Sequence, residues 1–222
     1  MPPFELREAL RYMGVRGEPT TELMQLAQEA GTLLTKAANY RWRSVRLPLH
    51  GDGSALLLGE LPLTGQSIRR HLDGCTEAIL LCGTLGSGVD QLIRREMLLH
   101  PARALAVNGC AAALLEARLD DTCAKLAQTL HAENLTLTSR FSPGYGDLPL
   151  SLQGPLLALL EAYRIGLTLN AGGQLQPEKS VTALCGIGAS IQTARGCGHA
   201  CSSCPNTDCA YRRQSPGKES SP

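Results

Sequence analysis

The chain has no excess of either charge: 21 Lys and Arg stand against 20 Asp and Glu, a formal net charge of +1. Without a field of one sign, nothing global draws it to nucleic acid or to a membrane surface. Long apolar runs are missing too. Ala78-Ile-Leu-Leu-Cys82 suits a short buried strand and falls far below the roughly 18 residues of a membrane span. The start, Met1-Pro-Pro-Phe-Glu-Leu-Arg-Glu8, lacks a basic region followed by an apolar stretch, so a cytoplasmic protein is expected. There is no Gly-x-Ser-x-Gly, no His-Glu-x-x-His and no paired histidine spacing. His50, His71, His100 and His131 are dispersed and read as surface or locally satisfied imidazoles. Hydrolase chemistry has no support. Gly83-Thr-Leu-Gly-Ser-Gly88 follows a strand and opens a helix, but it lacks Gly-Lys-Ser/Thr and misses the Gly-x-Gly-x-x-Gly spacing. It reads as a tight strand-to-helix turn rather than a phosphate loop.

What is present suffices for a packed core. The 222 residues, 43% apolar and 18% charged, fit one large domain or a domain with a small appendage. Leu23, Leu26, Ala27, Ala30, Leu33 and Leu34 recur at helical spacing behind Thr20 or Thr21 as cap, predicting a helix over 22–38. Trp42, Val45, Leu47 and Leu49 suggest a strand over 40–49, and strands are expected at 56–59, 78–82, 167–170 and 180–188. Helices are expected at 67–72 (capped by Thr64 or Ser67), 90–99, 102–131 and about 155–163. Helices and strands do not alternate regularly, so the fold class expected is α+β, not parallel βαβ. Glu116, embedded among Ala and Leu of the long helix, is either an ordinary helix carboxylate or a contact for a cationic or hydroxyl-bearing ligand.

Nine cysteines without an export signal argue for reduced thiols rather than a disulfide framework. Cys75, Cys82, Cys110, Cys123 and Cys185 are scattered through apolar sequence and read as small hydrophobes. Cys197, Cys201, Cys204 and Cys209 fall within thirteen residues. Such spacing suits zinc or an iron–sulfur cluster, with His199 as a substitute ligand; free thiols on a flexible tail are the plain alternative. The first three match the Cys-x-x-x-Cys-x-x-Cys of radical enzymes, but here the motif comes at the end, where no barrel can follow.

Arg140-Phe-Ser-Pro-Gly-Tyr145 places a Pro-Gly turn between a permanent cation and an aromatic ring. A turn of this kind offers backbone amides to a ligand, while the guanidinium pairs with a carboxylate and the ring covers a flat or cationic group.

With Pro177-Glu-Lys-Ser-Val-Thr-Ala-Leu-Cys-Gly-Ile187, this turn resembles the activation domain of cobalamin-dependent methionine synthase. In that family an Arg-x-x-Pro-Gly-Tyr turn binds S-adenosylmethionine and a later Pro-x-x-Ser-Val segment completes the site. Ile165-Gly-Leu-Thr-Leu169 is similar to the family's Ile-Gly-x-x-Leu-Thr stretch. Cys82-Gly-Thr-Leu-Gly86 and the tail ending Cys209-Ala-Tyr-Arg212 are similar to freestanding versions of the domain. The resemblance spans roughly residues 5–212. It implies a single domain with a twisted, mainly antiparallel sheet and flanking helices over 1–190. A Cys-rich metal-binding segment over 191–212 and a disordered tail over 213–222 would follow.

By the same resemblance, Arg140 pairs the methionyl carboxylate and Ser142 and Gly144 lend turn contacts. Tyr145 lies beside the sulfonium or adenosyl group, and Glu116 helps hold the ligand. The chain departs from the family after the Tyr, with Gly-Asp-Leu-Pro-Leu-Ser in place of Pro-x-Cys-Pro-Asp-His. It also departs around Cys185, where the larger enzyme has a tyrosine. The implied role is a methyltransferase component that reactivates a separate cobalamin-loaded methionine synthase, or a related corrinoid protein, by reductive methylation. Flavodoxin or a ferredoxin would supply the electron, and a C-terminal cluster would pass it on. No nucleic-acid or membrane partner is expected. The alternative is a metal-binding module that docks on a corrinoid protein without using S-adenosylmethionine.

Overall fold

The computed structural model describes residues 4–51, 56–189 and 191. Its first elements are helices α1 (Leu6–Tyr12) and α2 (Thr21–Ala37). Of the two cap candidates Thr20 serves: its hydroxyl accepts the Leu23 N–H at 3.3 Å. Strands β1 (Arg41–Gly51), β2 (Leu56–Leu58) and β3 (Leu61–Leu63) follow, then α3 (Gln66–His71) and β4 (Glu77–Thr84). Next come α4 (Ser87–Leu99), α5 (Pro101–His131), β5 (Thr136–Leu137) and α6 (Gln153–Leu159). The short strands β6 (Thr168–Leu169) and β7 (Leu175–Gln176) and the long β8 (Ser180–Gly188) complete the order.

Six strands form one sheet in the order β3-β2-β1-β4-β8-β5, every neighbouring pair antiparallel. The expected α+β class, with a mainly antiparallel sheet and flanking helices, is what the chain adopts. The register at the centre runs from Glu77↔Ile187 to Thr84↔Ser180. Both faces of these central strands are covered, which is why β4 reads as an unbroken apolar run. Ile79 and Leu81 point to one core, shared with Ala183, Cys185 and Ile187 and with α1, α2, α4 and α5. Ala78, Leu80 and Cys82 point to the other, shared with Leu184 and covered by α3 and α6.

Several expectations are corrected. Trp42 is 41% exposed: the inward parity of β1 is that of residues 43, 45, 47 and 49, so the ring falls on the opposite face. α4 begins three residues before Asp90, at Ser87, straight out of the Gly86 turn. That turn is closed by the Gly86 N–H donating to Thr84 Oγ1 at 3.1 Å, and it packs on the chain after α2. The helix expected over 155–163 is split. Arg43 on β1 donates to the Leu160 carbonyl at 2.6 Å and to Glu161 at 2.9 Å. Glu161 takes a left-handed φ of 47°, and a separate 3-10 turn covers Ala162–Ile165. Two- and three-residue strands such as β3, β5 and β7 are too short to show alternation in sequence.

Candidate functional site

Helix α5 starts with Pro101 in its first turn and runs for 31 residues. Glu116, Asp120 and Cys123 recur on it at intervals of four and three, which stacks them along one face. After the helix, Asn134 turns the chain with a φ of 58°, and β5 pairs with β8. The pairing continues as an isolated bridge, Phe141↔Leu184, so the return segment runs along the edge of β8 back beneath α5. That return carries Arg140 to the acidic face of the helix.

Arg140 is buried, 8% exposed. Its Nη2 donates to Glu116 Oε2 at 2.6 Å and its Nη1 to Asp120 Oδ1 at 2.8 Å. Nη1 also lies 3.7 Å from Cys123 Sγ. A buried guanidinium is costly unless paired, and two carboxylates meet that need. The pairing is graded outward: the Glu116 side chain is 36% exposed and that of Asp120 68%. Anything approaching from solvent therefore meets Asp120 first and Arg140 last.

Two phenols border this cluster. Burial, then the Glu116 charge, holds Tyr12 of α1 above its ordinary 10, and Arg11 lies 4.3 Å over its ring. Tyr40 shares a 3.0 Å hydrogen bond with Thr122 of α5; burial raises its pKa while Arg140 pulls the other way. Cys123 differs from Cys75, Cys82 and Cys110, which burial pushes up. A hydrogen bond from Cys185 lowers it most, burial opposes, and Arg140 adds to the lowering, leaving it at about 7. Cys82 and Cys110, merely buried, are pushed up to about 11. Cys123 packs against the first core, with the Arg140 guanidinium 3.7 Å from its sulfur.

The Pro-Gly turn lies on the other side of the return segment. Arg140 faces α5, whereas Phe141 packs into the second core, 4.9 Å centroid to centroid from His71. Tyr145, 52% exposed, sets its ring edge-on to Phe141 at 5.8 Å. The turn also uses its own amides. Gly144 N–H donates to the Leu148 carbonyl at 2.8 Å and Tyr145 N–H to the Ser142 carbonyl at 3.0 Å, so neither is left for a ligand. Beyond it, the Asp147 carboxylate accepts the Gln66 N–H at 2.6 Å and the Ser67 N–H at 2.9 Å, capping α3 across 80 residues of sequence. That corrects the Thr64 or Ser67 cap: Gly65 is the N-cap and contributes no side chain. Gly146, at a φ of 54°, is needed here, because a Cβ would come 2.6 Å from the Ser67 Cβ.

Of the residues singled out in sequence, Arg140 and Glu116 are brought into contact, while Ser142, Gly144 and Tyr145 belong to the neighbouring turn. Asp120, Cys123, Tyr12 and Tyr40 were missed; the 116, 120, 123 spacing was the available signal. A cavity of ≈ 340 Å³ lies beside Asp147, Gly65 and Arg69, and another of ≈ 270 Å³ beside Asp90, Arg94 and Pro177. Neither includes Arg140, so the charge arrangement, not cavity size, marks the site. Among the described residues no group of three or more His, Cys, Asp and Glu is placed to hold a metal ion. Cys197, Cys201, Cys204 and Cys209 lie outside the described residues. No helix among the described residues is long and apolar enough to cross a membrane.

No protein-family model matches the chain, and no curated protein matches it in sequence. In structure it is similar to the crystal structure of the MetH reactivation domain bound to AdoHcy. The TM-score is 0.61 at 16% identity, over 84% of this chain and 76% of that one. Identity that low speaks for architecture alone, and in architecture the chain has the fold of the MetH reactivation domain.

Proposed function

We propose that the chain binds S-adenosylmethionine by its amino-acid end and presents the methyl group to a cobalamin-bearing partner, a methionine synthase or related corrinoid protein. The observation that carries this reading is the Arg140–Glu116 pair, opposite charges 2.6 Å apart at a site that opens outward through Asp120. A methionyl zwitterion carries the complementary pair, a carboxylate for Arg140 and an ammonium for Glu116. Asp120, the most exposed partner, is the one the incoming carboxylate displaces. Tyr12 and Tyr40 border that end, the Tyr12 ring already under Arg11 and the Tyr40 hydroxyl already bonded to Thr122. The likeness in fold to a domain that holds AdoHcy supports the same ligand class, since AdoHcy is what S-adenosylmethionine becomes on losing its methyl.

No side chain has to move a proton in such a transfer. The chain's contribution is to fix the sulfonium and its methyl in one orientation, removing the entropy cost of a bimolecular encounter. The partner supplies the methyl acceptor, reduced by one electron from a flavodoxin- or ferredoxin-type donor. Ser142, Gly144 and Tyr145 then belong to the surface that meets the adenosyl group or the partner. We assign Cys197, Cys201, Cys204 and Cys209 to a zinc or iron–sulfur site, which iron, zinc and sulfide assays on anaerobically purified protein would distinguish.

The test is methyl transfer. S-adenosylmethionine labelled in its methyl is incubated with a cobalamin-loaded synthase stripped of its own reactivation domain, a one-electron reductant and this protein. Label reaching the partner only when this chain is present supports the reading. Equal transfer without it overturns the reading.

A further inference from the structure

Asp90 is a buried carboxylate that the fold leaves half used. It is 7% exposed on α4, and its Oδ2 accepts the Glu178 N–H at 3.0 Å. Its Oδ1 is buried and has no hydrogen-bond partner; among the described residues no other buried side-chain nitrogen or oxygen is left so. Such an oxygen has lost its water without compensation and lacks a donor. Asp90 lines the cavity of ≈ 270 Å³ together with Ser87, Arg94, Gly166, Thr168 and Gln176. The cavity lies at the N-terminus of α4, a helix of 13 residues. Gly86 caps that helix without a side chain, and among the described residues the Ser87 and Gly88 N–H groups have no partner. Arg41 of β1 reaches the same place. A Cβ at Gly166 would come 3.5 Å from its Nη2 and one at Gly86 3.7 Å, both glycines having positive φ. Among the described residues Arg41 has no side-chain hydrogen bond or ion pair, and Arg94 has only a 4.0 Å contact with Glu178.

We propose that this cavity binds a hydroxyl-bearing phosphate monoester of the sugar-phosphate type. Free amides at a helix N-terminus and two guanidinium groups favour an oxyanion, while an unmatched carboxylate oxygen requires a hydroxyl donor. The phosphate sits at the Ser87 and Gly88 N–H groups between Arg41 and Arg94, and a hydroxyl donates to Asp90 Oδ1. Glu178 is the competing anion, and the phosphate displaces it from Arg94. Asp90 repels a bare anion, so phosphate without the sugar binds more weakly. Gly83–Gly88 carries no phosphate-loop signature because the cations come from elsewhere, Arg41 from β1 and Arg94 from the second turn of α4. The site is separate from the Arg140 cluster. Asp90 holds the chain at Glu178, ahead of β8, whereas the Arg140 segment meets β8 at Leu184, about 13 Å of strand beyond Ser180.

Ribose 5-phosphate, inorganic phosphate and ribose are titrated separately into reduced full-length protein by calorimetry. Ribose 5-phosphate should bind, inorganic phosphate about tenfold more weakly, and ribose not measurably. Arg41→Ala should weaken ribose 5-phosphate about tenfold, the loss of one charge-assisted contact. Asp90→Asn should weaken ribose 5-phosphate but not inorganic phosphate. Should Asp90→Asn fail to fold, the wild type suffices: the Ser87 and Gly88 amide resonances should shift on adding ribose 5-phosphate, and much less in Arg41→Ala. No binding to folded wild type, equal affinity for ribose 5-phosphate and inorganic phosphate, or binding unchanged in Arg41→Ala overturns the proposal. Competition by S-adenosylmethionine also overturns it, since that would place the sugar phosphate at the Arg140 cluster. The titrations themselves need no S-adenosylmethionine, so failure of the proposed function leaves this assignment standing, and the reverse holds.

Discussion

Arg140 in the free protein is held by two carboxylates, and they are not equivalent. Under the proposed function, Asp120 would compete with the ligand carboxylate for the guanidinium, whereas Glu116 would pair with the ligand ammonium. Asp120→Asn should therefore tighten S-adenosylmethionine binding about threefold, and Glu116→Gln should weaken it about tenfold, each a fraction of a charge-assisted hydrogen bond. Titration calorimetry on the two variants checks the opposite signs; weakening by both would make Asp120 a ligand contact instead. His71 offers a pH test. Its Nε2 donates to the Ser139 carbonyl at 2.8 Å, and burial holds its pKa below the ordinary 6.5. The unfolded chain thus takes up the proton first. This part of the stability is complete above pH 6.5 and is lost as pH falls from there toward the folded value. Denaturant midpoints measured downward from pH 7 should fall more steeply for wild type than for His71→Asn.

Among the elements, the turn after Arg140 is fixed by what it docks on. Asp147 caps α3 and Gly146 lets the two backbones approach, so Asp147→Ala and Gly146→Ala should each lower the melting temperature. Gly146→Ala should cost more, because it meets both a positive φ and the Ser67 side chain. Equal melting curves for wild type and both variants would show that the turn is not docked as described. The long elements were legible in sequence because each repeats a pattern many times: α2 and α5 at helical spacing, β8 as a continuous apolar strand. The turn itself was legible as a turn, but its employment was not. Asp147 reaches Gln66 and Ser67 from 80 residues away, and no local pattern records that pairing. Glu116 was visible as a carboxylate among Ala and Leu, yet its contact with Arg140 depends on the return of the chain along β8. Cys123 looked like any apolar-flanked cysteine, and the Arg140 contact on its sulfur depends on the same return of the chain.

For the molecule as a whole, stability should concentrate where both sheet faces are covered. Amide hydrogens of β4, β8 and the middle of α5 should exchange last, and those of β2, β3 and β5 much sooner. Exchange mass spectrometry that found β2, β3 and β5 as protected as β4 and β8 would contradict this layering. The fold and the charge pair meet in the proposed function, in which S-adenosylmethionine would be held by its amino-acid end at Arg140 and Glu116. The most direct measurement is calorimetric titration of S-adenosylmethionine into reduced, anaerobically purified protein beside Arg140→Ala, with thermal melts confirming that both are folded. The account predicts binding to wild type and a loss of about 10–100-fold in the variant, the span of a charge-assisted pair. No binding to folded wild type, or equal binding to both, would contradict it.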